Sequence, residues 1–207
     1  MIFKIIKYVL QFSIFLAILE ENYFYIIAMP IFVAFLRGIN VSGQKKIKMA
    51  KLRQLLEDSG FLNVKSYLQS GNIVFEFQGV AIAFIEVKIK DAIESSFGFE
   101  VEVLVKTLSQ LTEIVKNWPF EKEGGAGLKK NYFVLLNTEP NPGLAQELSA
   151  ESFPNEQFLI ADQCIYLKCH NGYGRAKCNN NFFERKLKLI ATTRNFTTME
   201  RLLALAK

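Results

Sequence analysis

The residues in this 207-residue chain best suited to chemistry are cations and amides gathered in glycine-bearing loops. Arg37, Asn40, Lys45 and Lys46 follow an apolar run and are interspersed with Gly38 and Gly43. Gln69 and Asn72 flank Ser70 and Gly71, Arg175 and Lys177 come just after Gly172 and Gly174, and Arg194 and Asn195 close a threonine-rich stretch. Glycines expose backbone N–H groups, and cations ahead of a helix N-terminus add charge. Together they suit a phosphate or carboxylate ligand. These ten residues form the candidate ligand-binding set. A competing reading makes the asparagines turn formers and caps whose side chains satisfy local backbone, and it is strongest at Asn72.

Other chemistries fit less well. Gly38 to Lys46 (GINVSGQKK) approaches a phosphate-binding P-loop in its glycine spacing, but Gln44 and Lys45 follow the second glycine where Lys and Ser/Thr are required. Cys164, Cys169, His170 and Cys178 invite a zinc reading. Cys164 and Cys169 lie an odd interval apart on an expected strand, so they point to opposite faces and do not share an ion; no metal is expected. His170 is the lone histidine and stands at a strand end, where a structural role is commoner than a catalytic one. Tyr67 and Tyr173 each lie beside a polar loop and are the aromatic residues to watch for stacking on a base. No cofactor motif is present in these segments, and no catalytic group stands out.

Charge and composition bound the class. Half the residues are hydrophobic and 22% are charged, which suits a globular fold with a large core. The net charge is +5, unevenly spread. Met29 to Leu56 holds six basic residues and no acidic one, and Lys168 to Lys207 holds nine basic residues against Glu184 and Glu200. Three crowded cysteines, an odd number, favour free thiols and a reducing, cytoplasmic setting.

Residues 1–28 read as a separate amino-terminal extension. Lys4 and Lys7 precede an apolar run from Tyr8 to Leu19, too short for the roughly 20 residues of a membrane span. No small-residue cleavage site follows it. Met29 stands directly before the first strand, so a misplaced start is the expectation, with no membrane association unless residues 1–28 are expressed.

The elements that must position the loops follow from periodicity. Strands are expected at Ile31–Leu36, Val64–Leu68, Ile73–Phe77 and Val101–Val105, and helices at Met49–Ser59, Ala81–Phe97 and Leu108–Trp118. The linker-like Glu121–Gly127 follows. The order then restarts with strands at Tyr132–Leu136, Gln157–Ile160, Cys164–Lys168 and Leu189–Thr192, and helices at Gly143–Ala150, Asn180–Leu187 and from Thr197. This predicts an α+β chain of two tandem ferredoxin-like βαββαβ units with antiparallel sheets, over 29–120 and 121–207, plus an extra carboxyl-terminal helix. In such a sheet the first two strands run the same way. The Arg37–Lys46 loop and the Gln69–Asn72 turn therefore share one rim, and the loop from His170 to Lys177 shares a rim with Arg194 and Asn195.

Several stretches resemble the signature of a bacterial family, domain of unknown function 1697. They are Phe35-Leu36-Arg37-Gly38-Ile39-Asn40-Val41 with Gly43 and Lys45 to Met49, then Tyr67 and Gln69-Ser70-Gly71-Asn72-Ile73-Val74-Phe75. Gly174-Arg175-Ala176-Lys177 and Thr192-Thr193-Arg194-Asn195-Phe196-Thr197-Thr198 are similar to its closing motifs, where serine and tryptophan are commoner at the places of Ala176 and Phe196. The resemblance implies an α+β bacterial protein with no assigned activity or cofactor, and it singles out the same polar loops. Three functional readings follow: a module binding a small anionic, phosphate-bearing ligand, a nucleic-acid-binding module, and a structural or interaction domain without ligand.

Overall fold

The computed structural model describes residues 29–41, 43–79, 81–121 and 130–207; the amino-terminal extension, Ser42 and most of the expected linker lie outside them. The first half contains β1 (Ile31–Leu36), α1 (Met49–Asp58), β2 (Leu62–Tyr67), β3 (Asn72–Glu76), α2 (Ile82–Phe97), β4 (Val103–Thr107) and α3 (Leu108–Lys116). The second contains β5 (Asn131–Leu136), α4 (Pro142–Ser149), β6 (Glu156–Ile160), β7 (Cys164–Cys169), α5 (Asn180–Leu187), β8 (Ala191–Asn195) and α6 (Phe196–Leu205). Two four-stranded antiparallel sheets result, ordered β2-β3-β1-β4 and β6-β7-β5-β8, the ferredoxin-like order in both cases.

The largest boundary difference from the sequence reading is β8. It begins at Ala191 and continues through the polar Thr193-Arg194-Asn195, because backbone pairing with β5 carries it to Asn195 opposite Tyr132. Hydrogen bonding along the ladder, rather than hydrophobicity, sets its end.

Strand alternation explains the layers. On β1, Phe32, Ala34 and Leu36 face α1 and α2, where they join Leu52, Leu56, Ile85, Ile89 and Ile93. Val33 and Phe35 face the other way into a core shared with Phe133 and Leu135 of β5, while Val134 and Leu136 face α4 and α5. The open faces of the two sheets thus cover each other, which is why IFVAFL is apolar on both sides. Helices α3 and α6 pack together and supply Leu111, Phe196, Met199 and Leu202 to the shared core. Each fully buried Phe there contributes roughly 1.5–3 kcal/mol relative to exposure. Cys164 lies in this shared core and Cys169 in the outer one, the opposite faces that their spacing predicts. No helix among the described residues is long and apolar enough to cross a membrane.

Candidate functional site

The β1–α1 loop and the β2–β3 turn emerge together and are bolted to each other. Asn40, at φ 56, donates through Nδ2 to the Ile47 carbonyl (3.0 Å) and the Gln69 carbonyl (2.8 Å), and its Oδ1 accepts from the Ile47 amide (2.9 Å). The Leu36 amide donates to the Gly71 carbonyl at 2.8 Å. That approach needs a glycine: a Cβ on Gly71 would stand 2.7 Å from Leu36 Cβ, and its φ is +74°. Lys45 Nζ reaches the Glu100 carbonyl at 2.7 Å.

The rims of the two units converge, and Arg194 is the centre of the contact. Its Nε donates to Asn72 Oδ1, its Nη2 to the Leu36 and Ser70 carbonyls (2.9 and 3.0 Å), and its Nη1 to Thr192 Oγ1 and the Thr193 carbonyl (both 2.9 Å). The guanidinium also lies 5.5 Å from the centre of the Phe35 ring. Burial pulls its pKa down to about 10, so it stays charged at neutral pH. Asn72 is fully buried, and its Nδ2 donates to the Tyr67 carbonyl (2.9 Å) and Ser70 Oγ (3.0 Å). Arg37 crosses between units as well, pairing with Glu184 Oε2 at 2.6 Å and Asn181 Oδ1 at 3.2 Å. Asn195 caps α6 by accepting from the Thr198 amide at 2.8 Å. These four candidates have protein partners that account for their residue types.

Lys106 escaped the sequence reading. It is 3% exposed and donates to the Leu136 carbonyl (3.0 Å) and Gln163 Oε1 (2.6 Å) across the unit boundary. A lysine interrupting the apolar strand Val103-Leu104-Val105 was the available signal.

Tyr173 does not offer a free ring. Its hydroxyl donates to Thr193 Oγ1 (3.0 Å) and accepts from the Asn180 amide (3.1 Å), and its ring lies 5.0 Å from that of Tyr132. Tyr67 packs against the shared core. Both aromatics considered for base stacking are therefore held by the protein. Arg175 and Lys177 are exposed in the loop after β7, where the Lys177 amide donates to Glu156 Oε1 at 3.0 Å.

Of the ten candidates, Asn40, Lys46 and Gln69 line one groove of about 960 Å³. Lys48, Lys51 and Ser66 add polar groups to it, and Met49, Leu68 and Phe97 add apolar surface. The groove ends on the start of α1, whose cap position, Lys48, supplies no side-chain cap and whose first turn has no acidic residue. Lys46, Lys48 and Lys51 are exposed and form no ion pair with any described carboxylate. Unsatisfied N–H groups and three ammonium groups thus converge on one concavity, an arrangement suited to an anion. His170 sits apart, in a pocket of about 370 Å³ with Glu151, Glu156 and Ser149. No group of three His, Cys, Asp or Glu side chains among the described residues is placed to hold a metal.

A conserved bacterial protein, SP0830 from Streptococcus pneumoniae, has a similar structure, with a TM-score of 0.64 and 22% identity over 87% of this chain and 100% of its own; that likeness shows the fold alone. Among curated proteins no match is found. The model of the family described as protein of unknown function (DUF1697) matches residues 29–166, which carry the Asn40 clamp, the Gly71 turn and the lysine groove, and the chain belongs to that family.

Proposed function

We propose that this protein binds a small organic anion bearing a phosphate, in the groove between the β1–α1 loop and the β2–β3 turn. The observation that carries the reading is the convergence of Lys46, Lys48 and Lys51 on an uncapped helix start, with no acidic side chain lining the groove. The phosphate takes the ammonium groups and the first N–H groups of α1, where helix dipole and charge act together. Asn40 is committed to the backbone, so it fixes the loop, while Gln69 remains as an orienting group and Ser66, whose Oγ accepts from Arg53 Nη1 at 2.6 Å, keeps its own proton to donate. Met49, Leu68 and Phe97 accept an apolar portion of the ligand. Arg37, Arg194, Asn72 and Asn195 act as supports of the groove's surroundings, and Lys45 braces its loop on Glu100.

A thermal-shift screen of nucleotides and phosphorylated metabolites against their dephosphorylated forms tests this. A true ligand stabilises the fold as RT ln(1 + [L]/Kd), and the shift is lost in Lys46→Ala/Lys51→Ala. Oligonucleotide binding that falls steeply with salt, without saturable response to any metabolite, would replace this reading by nucleic-acid binding. Silence in both assays leaves the interaction-domain reading.

A further inference from the structure

A second concavity lies between the units and has the opposite character. It is about 290 Å³, formed by α3 on one side and by the β6–β7 turn on the other. Glu113, Glu139 and Asp162 line it, three carboxylates contributed by three separate segments. Asp162 and Glu139 have no ion-pair partner among the described residues, and Glu113 has only the exposed Lys116 at 3.8 Å, a contact worth little in water. Gln163, also in the lining, is held by Lys106 Nζ at 2.6 Å, so the turn that presents Asp162 is fixed to the first unit.

An acidic rim alone carries no weight, but Tyr166 does. It lines the same pocket, is only 4% exposed, and its hydroxyl has no hydrogen-bond partner among the described residues. The polar end of this mostly buried tyrosine bonds no described protein group, so it is free to bond what enters the pocket. Its ring packs against Phe133 and Trp118, with centroids 5.8 Å from each, which fixes where the hydroxyl stands. Burial, with Cys164 and then Asp162 adding to it, pushes the phenol up to about 12, so the group stays neutral and can accept from an ammonium.

We infer that this pocket binds a small organic cation, a primary amine with a short alkyl portion, whose nitrogen lies between Asp162 and the Tyr166 hydroxyl. The alkyl portion meets Ile114 and Ala161, which also line the pocket. A metal ion fits less well, because no three acidic, His or Cys side chains among the described residues converge on one point. A site at the junction of two units is also where small ligands preferentially bind.

The test is calorimetric titration at low ionic strength with n-butylamine and 1,4-diaminobutane, with n-butanol and butyrate as neutral and anionic controls. Saturable binding of the amines alone is expected, weakened about tenfold by Tyr166→Phe and by Asp162→Asn, since each removes one partner of a charged donor. Tyr166→Phe keeps the ring and its packing, so the fold is retained. Lys46→Ala leaves amine binding unchanged, which separates this pocket from the anion groove. Absence of saturable amine binding, an affinity in either Tyr166→Phe or Asp162→Asn equal to that of the unsubstituted protein, or displacement of the amine by calcium at matching affinity would each overturn the assignment.

Discussion

Lys106 and Arg194 each stand fourth in the closing strand of their unit, and each donates to the carbonyl that ends the opening strand of the other unit: Lys106 to Leu136, Arg194 to Leu36. The residue after each caps the following helix, Thr107 for α3 and Asn195 for α6. The two units therefore hold one another by the same move made twice in opposite directions. Buried carbonyls left without donors are costly, so these cations are part of the fold's hydrogen-bond accounting.

Arg194→Ala is expected to destabilise the protein by about 3 kcal/mol, because it strands the Leu36 and Ser70 carbonyls and Asn72 Oδ1. Arg194→Lys recovers only part of this, since an ammonium cannot reproduce the fork of the guanidinium. Urea unfolding of the three proteins measures both differences, and equal midpoints for wild type and Arg194→Ala would refute the structural role.

Gly71→Ala should cost about 3 kcal/mol, combining positive φ with overpacking against Leu36 and Ile39, whereas Gly38→Ala, with open space around it, should cost about 1 kcal/mol. Gly71→Ala should also weaken anion binding, as the turn carrying Gln69 must shift away from Asn40. Paired denaturation and ligand titration separate the two effects.

Burial pushes the Cys169 and Cys178 thiols up to about 12 and raises Cys164 as well. The thiolate is the reactive form. A disulfide reagent at pH near 8 is expected to modify fewer than about one thiol per folded chain, and all three in urea. Rapid modification of the folded protein would contradict the packing described for β7.

Glu86 accepts from the Val105 amide at 2.8 Å, and burial raises its carboxyl above the ordinary 4.5. The folded state then holds this proton at higher pH than the unfolded chain does. Its contribution to stability is present below about pH 4.5 and is lost as pH rises through the raised folded value. Glu86→Gln lacks this dependence. Urea midpoints measured from about pH 4 to about pH 7 should therefore shift in the variant's favour as pH increases. A difference that stays constant, or runs the other way, shows that the carboxyl is not raised.

Local patterning made much of this architecture readable. Ile31–Leu36 and Asn180–Leu187 have the bounds that apolar spacing predicts, and strand direction alone puts the Arg37 loop beside the Gln69 turn. The meeting of the two rims was not readable, because it depends on how two apolar sheet faces fit over each other across Phe35, Phe133 and Tyr166. The partners of Arg194 were hidden for a second reason. Most are backbone carbonyls, which every residue has, so no residue type announces them. An arginine that will cap carbonyls and one that will grip a phosphate look alike in a string of letters. Lys46 and Lys51 differ from Arg194 only once the fold shows which cations are left over.

The core between the sheets makes the chain, in thermodynamic terms, a covalently fused dimer. Val33, Phe35 and Leu104 on one side and Phe133, Leu135 and Tyr166 on the other are interior only while both halves are in place. A fragment ending at residue 121 would bare an apolar sheet surface and be prone to stick to its own kind. Mixed with the fragment from residue 130, it should instead reassemble by complementation, with Lys106 and Arg194 acting as reciprocal latches.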